Sequence, residues 1–355
     1  MARITLDNLR HSYVPAPAAE ADWALKRMSV EWDDGGAYAL LGPSGCGKTT
    51  LLNIISGLIS PTEGRVLFGE RDVTHVPPDA RNIAQVFQFP VVYDTMTVYD
   101  NLAFPLRNRG MRGRDVDARV REIAAMVELD AMLKRRAQGL TADGKQKISL
   151  GRGLVRPDVN VIMFDEPLTV IDPHLKWKLR SQLKALHQQI GVTMIYVTHD
   201  QTEALTFADK VVVMHDGTVV QIGTPVDLFE KPQHTFVGHF IGSPGMNLLP
   251  CTVENGSARF AGRAVATAAP VTQPAAGAAV ELGVRPEFVS FADDGVPVQV
   301  VGVSDAGRFR IVDARADGHR IKLLVQEDAP IPSETAHVRF DPAHTQVYAD
   351  GWIVN

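Results

Sequence analysis

Hydrophobic residues follow two rhythms along this chain, and the change between them divides it in two. Up to about residue 245, short unbroken apolar runs alternate with stretches in which apolar side chains recur every three or four positions. The runs at 38–41, 83–87, 159–164 and 192–197 have the length and composition of buried strands. Leu51, Leu52, Ile54 and Ile55 open a helix directly after the first of these regions. Val116, Val120, Ile123 and Val127 share one face of a predicted helix at 114–127. Leu175, Leu179, Leu183 and Leu186 do the same at 174–189, with Gly191 placed to end that helix. Val211 to Met214 and Val219 to Ile222 flank Asp216-Gly217, a hairpin signal. Alternating strands and helices predict an α/β domain with a parallel sheet covered by helices.

From about residue 246 the long amphipathic patterns stop, and Ala, Val and Gly dominate. Short β-like segments follow at 280–284, 298–303, 308–312, 321–325 and 338–340. Such spacing predicts a small β-barrel. The Ala/Thr/Pro-rich stretch 264–279 is predicted to be a loop. The expected domains are therefore 1–245 and 246–355.

Composition narrows the partners. The chain has 355 residues, enough for two domains, with 45% hydrophobic and 22% charged residues, as in ordinary soluble proteins. A net charge of −5 without a basic block argues against a nucleic-acid partner. No apolar run approaches the length of about 18 residues needed to span a bilayer. Residues 1–6 lack the apolar core of a signal peptide. Of the two cysteines, Cys46 lies inside the motif described next and Cys251 in the tail, which fits a reducing, cytoplasmic setting.

Gly42-Pro43-Ser44-Gly45-Cys46-Gly47-Lys48-Thr49-Thr50 matches the phosphate-binding pattern G-x-x-x-x-G-K-[ST] between a predicted strand and a predicted helix. Glycines let backbone N–H groups surround phosphate oxygens, and the helix N-terminus adds a favourable dipole. Lys48 is the candidate partner of the β- and γ-phosphates, and Thr49 of Mg²⁺. Backbone donors around Cys46 are expected to favour its thiolate. The strand at 161–164 ends in Asp165-Glu166: a metal ligand followed by a base for the attacking water. Gln88 and His199 also follow apolar runs, as candidates for the metal or lytic water and for the γ-phosphate. Polar side chains at the C-terminal ends of strands are what an open α/β sheet uses to hold ligands.

Together these motifs resemble the ATPase cassette of ATP-binding-cassette (ABC) transporters. Phe240-Ile241-Gly242-Ser243-Pro244 and Gly283-Val284-Arg285-Pro286-Glu287 are similar to segments of the maltose-type sugar and polyol importers. The resemblance covers nearly the whole chain. It implies ATP and Mg²⁺ as cofactors, with Mg²⁺ held by Thr49, Gln88 and Asp165. It also implies Tyr13 stacked on adenine, Asp172 in a dimer-interface loop, and a C-terminal OB-like regulatory barrel. Two cassettes would pair head to tail, as a homodimer or with a second ATPase subunit. They would drive two integral-membrane permease subunits at the cytoplasmic face of the bacterial inner membrane, with solute delivered by a periplasmic binding protein.

One segment departs from the pattern. The signature Leu-Ser-Gly-Gly-Gln is here Leu140-Thr141-Ala142-Asp143-Gly144, followed by Lys145-Gln146-Lys147. Asp143 brings negative charge toward the opposing phosphate, and Lys145 is placed to offset it. The alternative reading is therefore a cassette that completes a partner's site and hydrolyses poorly itself. This signature, with Thr169-Val170-Ile171-Asp172, is similar to glycerol-uptake ATPases, which makes glycerol the first expected solute and glycerol phosphate or a sugar the next. A role in DNA repair or translation lacks the split or doubled cassette typical of such ATPases.

Overall fold

The computed structural model describes residues 3–354. The chain divides into two compact units, one running to Pro225 and the other starting at Val226.

In the first unit the elements are β1 (Ile4–His11), β2 (Leu25–Trp32), β3 (Ala37–Leu41), α1 (Lys48–Ser56), β4 (Glu63–Phe68), β5 (Arg71–Asp72), β6 (Ile83–Val86), α2 (Val98–Arg107), α3 (Arg114–Met126), α4 (Ala142–Leu154), β7 (Val161–Asp165), α5 (Pro173–Ile190), β8 (Thr193–Thr198), α6 (Gln201–Phe207), β9 (Lys210–His215) and β10 (Thr218–Gly223). Strands in the order β10-β9-β3-β8-β7-β6 form the expected sheet, parallel except for the β9–β10 hairpin. Its central strands β3, β7 and β8 are buried along their whole length. That burial explains why they appear in the sequence as unbroken apolar runs.

A second, antiparallel sheet, β2-β1-β4-β5, was not foreseen. One apolar core takes in Leu6, Leu9 and Val66 from this sheet, Leu51, Leu52, Ile54 and Ile55 from α1, and Val161, Met163, Ile195 and Val197 from the parallel sheet. Helix α1, which carries the phosphate loop at its N-terminus, thus shares a core with both sheets.

The second unit holds α7 (Pro225–Glu230, from the boundary residue), α8 (Thr235–Phe240), β11 (Asn247–Pro250), β12 (Thr252–Glu254), β13 (Ser257–Phe260), β14 (Arg263–Val265), β15 (Val280–Val284), β16 (Val289–Ala292), β17 (Val296–Asp305), β18 (Phe309–Ala316), β19 (His319–Gln326), β20 (Thr335–Phe340), β21 (Thr345–Ala349) and β22 (Trp352–Ile353). They form sheets β11-β15-β21-β22, β12-β13-β14 and β16-β20-β17-β18-β19 around a core that includes Leu249, Phe260, Leu282, Val312, Leu323 and Phe340. The expected loop at 264–279 begins inside β14, where Ala264 pairs with Arg259, and it buries Val271.

This unit starts ahead of the change in sequence texture, because a buried arginine gathers α7 and α8 to the barrel. Arg285 donates to the carbonyls of Leu228 (3.2 Å), Phe229, Gly238 (3.2 Å) and Ile241, and its guanidinium lies 4.2 Å from the Phe229 ring centroid.

Candidate ATP and metal site

Strand register assembles the site. Leu41 pairs with Thr198, Asp165 with Val197, and Val86 with Phe164. Gly42, His199, Glu166 and the Phe87-Gln88 segment therefore leave the parallel sheet at the same edge, its C-terminal one.

The phosphate loop has the backbone its motif demands. A Cβ on Gly42 would lie 2.3 Å from the Met214 carbonyl oxygen and 2.8 Å from Cys46 Sγ. Gly47 caps α1 at φ 98°, a left-handed conformation that costs glycine little. Lys48 is buried, and its Nζ donates to the carbonyls of Gly42 (2.7 Å) and Pro43 (2.9 Å). An ammonium held across such a loop at a helix N-terminus makes an anion site. Ser44, Gly45 and Thr49 are exposed. Thr50 Oγ1 lies 3.1 Å from the hydroxyl of Tyr13. Tyr13 is 63% exposed, and its ring forms a T-shaped pair with that of His11, centroids 4.7 Å apart.

The Cys46 thiol departs from expectation. It is buried, and burial pushes its pKa up, outweighing the opposing pull of Lys48. The thiol form is favoured, because loss of solvation exceeds the loop's electrostatic help.

Beside the loop, Thr49 Oγ1 is 3.4 Å from Asp165 Oδ1. Burial raises the Asp165 pKa, and the charge of Glu166 raises it further. Two adjacent carboxylates, one of them buried, next to a hydroxyl suit a hard cation. Among the described residues no group of three or more His, Cys, Asp or Glu could hold a metal. Mg²⁺ sites of nucleotide-binding proteins commonly take one or two carboxylates together with substrate phosphates.

Glu166 adopts φ 46° and its backbone N–H donates to Val197 O at 3.0 Å. Its carboxylate accepts from Gln88 Nε2 (3.4 Å) and Thr169 Oγ1 (3.4 Å), and His199 Nδ1 lies 3.1 Å from the other oxygen. The structure thus brings Gln88, Glu166 and His199 together, with Asp165 and Thr49 alongside.

Two supporting groups escaped the sequence reading. Buried Glu203 accepts from Thr198 Oγ1 (2.9 Å) and Tyr196 Oη (3.1 Å), while Asp200 caps α6 and its N–H donates to Thr198 Oγ1 (3.0 Å). This network frames the turn that carries His199. The spacing Asp200-x-x-Glu203 ahead of a helix was the available signal. Buried Arg81 donates to the carbonyls of Ile54 and Ile55 at the end of α1, and to Thr74 and Val76, all at 2.7–3.0 Å. A lone arginine carries no sequence signal for that role.

At the signature, Thr141 caps α4 and accepts from Gly144 N at 3.3 Å. Thr141 and Ala142 are exposed. Lys145 does not offset Asp143: it pairs with Asp94 at 2.7 Å. Asp143 instead pairs with Lys147 at 3.3 Å, one helical turn along. Asp172 caps α5, accepting from His174 N at 2.9 Å. A separate cleft lined by Phe104, Arg109, Arg152 and Arg156 shares no residue with the phosphate loop.

A strand–loop–helix phosphate site at the C-terminal edge of a parallel sheet defines a P-loop ATPase. The ABC transporter family model matches residues 25–169, and the MalK OB fold domain matches residues 242–289. The chain is 36% identical to the sn-glycerol-3-phosphate import ATP-binding protein UgpC of Chromobacterium violaceum, over 98% of this chain and 96% of that protein. It is 46% identical to the trehalose/maltose import ATP-binding protein MalK of Thermococcus litoralis, over 67% of this chain and 65% of that one. A dimeric post-hydrolysis structure of the cassette MJ0796 bound to ADP and Pi superposes with TM-score 0.56 at 27% identity, over 62% of this chain and 98% of that one. The chain belongs to the ABC-transporter family, as an ATP-binding import subunit of the UgpC/MalK type: an ATPase coupled to transport, with a cassette followed by a MalK-type OB domain.

Proposed function

We propose that this chain hydrolyses MgATP at the junction of Lys48, Thr49, Asp165 and Glu166 to drive uptake of a phosphorylated polyol, sn-glycerol 3-phosphate first among candidates. The observation that carries the catalytic reading is the convergence of Gln88 and His199 on Glu166, beside the Thr49–Asp165 pair.

ATP would lie with adenine on Tyr13 and its phosphates in the loop of residues 42–50. There the backbone N–H groups of Gly45, Cys46 and Gly47, with Lys48, take up phosphate charge. Thr49, Asp165 and Gln88 would hold Mg²⁺, which supplies charge neutralisation on the β- and γ-phosphates when bound. Glu166 orients the lytic water and receives its proton. His199 holds one oxygen of Glu166 and faces the γ-phosphate. Pre-placed charges of this kind supply most of the catalysis in phosphoryl transfer.

Pairing with a second cassette, identical or different, would set Thr141, Ala142 and Gly144 of one chain against the nucleotide of the other, with Asp172 at the seam. The ADP-bound neighbour is itself dimeric, which supports pairing. Two permease subunits and a periplasmic binding protein complete the system, and the chain would sit peripherally on the cytoplasmic face of the inner membrane. Among the described residues no helix is long and apolar enough to cross a membrane. Glycerol, expected first from the sequence, gives way to its phosphate because several relatives are named for sn-glycerol-3-phosphate import. The poorly hydrolysing alternative loses ground because the Asp143 charge is paired.

The test is Mg²⁺-dependent ATPase of the chain assembled with its permeases in proteoliposomes, with binding protein loaded in turn with sn-glycerol 3-phosphate, glycerol or maltose. Stimulation by the phosphate ester is expected. Stimulation by glycerol or maltose alone would reject the solute, and absence of hydrolysis would reject the catalytic reading.

A further inference from the structure

Asp143 stands where a glycine is usual in this family's signature, yet its carboxylate is tied to a residue of its own helix and partly covered. One oxygen pairs with Lys147 at 3.3 Å, and the other is enclosed without a hydrogen-bond partner. Lys147 is buried and lies 3.6 Å from a second carboxylate, Glu128, just beyond α3. Glu128 in turn pairs with Lys178 on α5, and that ammonium, with Lys147 adding to it, holds the Glu128 carboxyl below its usual range. Charges alternate along this chain of four: negative, positive, negative, positive.

We propose that Lys147 is a positioning residue for the ATPase: it draws the Asp143 charge inward and cancels it, so that the first turn of α4 remains able to meet the partner's γ-phosphate through Thr141. This rests on the signature facing a nucleotide across a dimer, as argued above. An unpaired carboxylate about 8 Å from a phosphate, at an effective dielectric of about 20, weakens the closed state about thirty-fold per charge pair. With Lys147 in place, the phosphate meets a neutral pair instead. Lys145, the other lysine of this segment, is engaged elsewhere: its ammonium pairs with Asp94 at 2.7 Å. Extra charge in this signature is thus compatible with hydrolysis only together with Lys147.

The experiment uses the full-length chain, with ATP-driven dimerisation followed by sedimentation and steady-state ATPase measured in parallel. Lys147→Met should weaken association about thirty-fold. The loss should shrink between low and high salt, since the exposed repulsion is screened. Lys147→Arg should keep wild-type behaviour, and Asp143→Asn added to Lys147→Met should restore it. A structural role for Lys147 alone would not be rescued at position 143. If Lys147→Met does not fold, the double variant decides: folded and wild-type-like supports the proposal; unfolded, or folded and still impaired, overturns it. Wild-type association in Lys147→Met also overturns it. If the wild-type chain itself shows no response to ATP, the cross-dimer reading fails first and takes the proposal with it.

Discussion

His199 Nδ1 and Glu166 Oε1 lie 3.1 Å apart, although the two residues leave neighbouring strands, β8 and β7. The contact depends on the turn at Glu166, where a left-handed φ of 46° and the bond from its N–H to Val197 O hold the acid in place after β7 ends. With Gln88 Nε2 on its second oxygen, the carboxylate is held from two sides. It is nonetheless partly open to water, with the side chain 19% exposed. A base for an attacking water needs that combination of fixed direction and access.

Glu166→Gln keeps the side-chain shape and removes its basicity. Hydrolysis should fall about 10²- to 10⁴-fold while ATP binding survives. Turnover by the assembled transporter and equilibrium nucleotide binding, measured on the same preparation, check this. Near-normal turnover would exclude Glu166 as the base.

Cys46 should be a slow nucleophile. Its thiol is buried in the loop and titrates above its ordinary value of 9.0. Iodoacetamide labelling should be slow at pH 7 and accelerate as pH rises beyond 9, with MgATP suppressing it throughout. The native state also prefers the neutral thiol, so its contribution to stability is complete below the unfolded thiol's pKa and is lost as pH rises through the higher folded one. Labelling of Cys46 at equal rates with and without saturating MgATP, read by peptide mass spectrometry, would remove the thiol from the nucleotide site.

Much of this was visible in the chain because the central parallel strands β3, β7 and β8 are buried along their whole length and each leads into a candidate site residue: Leu41 before Gly42, Phe164 before Asp165, Val197 before Thr198 and His199. What stayed hidden had broken periodicity or non-local partners. In β1 the buried residues are Ile4, Leu6, Leu9 and His11, and a register shift between Leu6 and Leu9, with Asn8 at φ 51°, disrupts the alternation that marks a strand. Strands β12 and β14 are too short to carry a pattern. Lys145 was the expected partner of Asp143, but Lys145 pairs with Asp94, a residue distant in sequence, and Asp143 pairs with Lys147 one helical turn along.

Arg81→Met should destabilise the cassette by about 2–5 kcal/mol, because several carbonyls lose their donor together. Those of Ile54 and Ile55 sit at the end of α1, whose other end carries the phosphate-binding motif. A lowered Tm with nucleotide affinity reduced only in proportion to unfolding is the expected result. An unchanged Tm would mean that water replaces the guanidinium without cost.

The domain boundary makes the last prediction. A chain ending at Gly245 retains the phosphate loop, Asp165, Glu166 and His199, so ATP binding should persist. It also keeps α7 and α8 but loses Arg285, whose guanidinium serves carbonyls of α7, of α8 and of Ile241 just after α8, and is buried enough that its pKa falls to about 10. Stripped of that donor and of the barrel core, residues 226–245 should become the first site of proteolytic cleavage, while the cassette up to Pro225 resists. Arg285→Met in the full-length chain isolates the cause: it should open the same segment to protease with little change in nucleotide affinity. Limited proteolysis with mass mapping, alongside nucleotide titration, reads both outcomes. Protection of residues 226–245 in the truncated chain would place these helices with the cassette, and loss of ATP binding by a folded truncated chain would show that the barrel contributes to the nucleotide site.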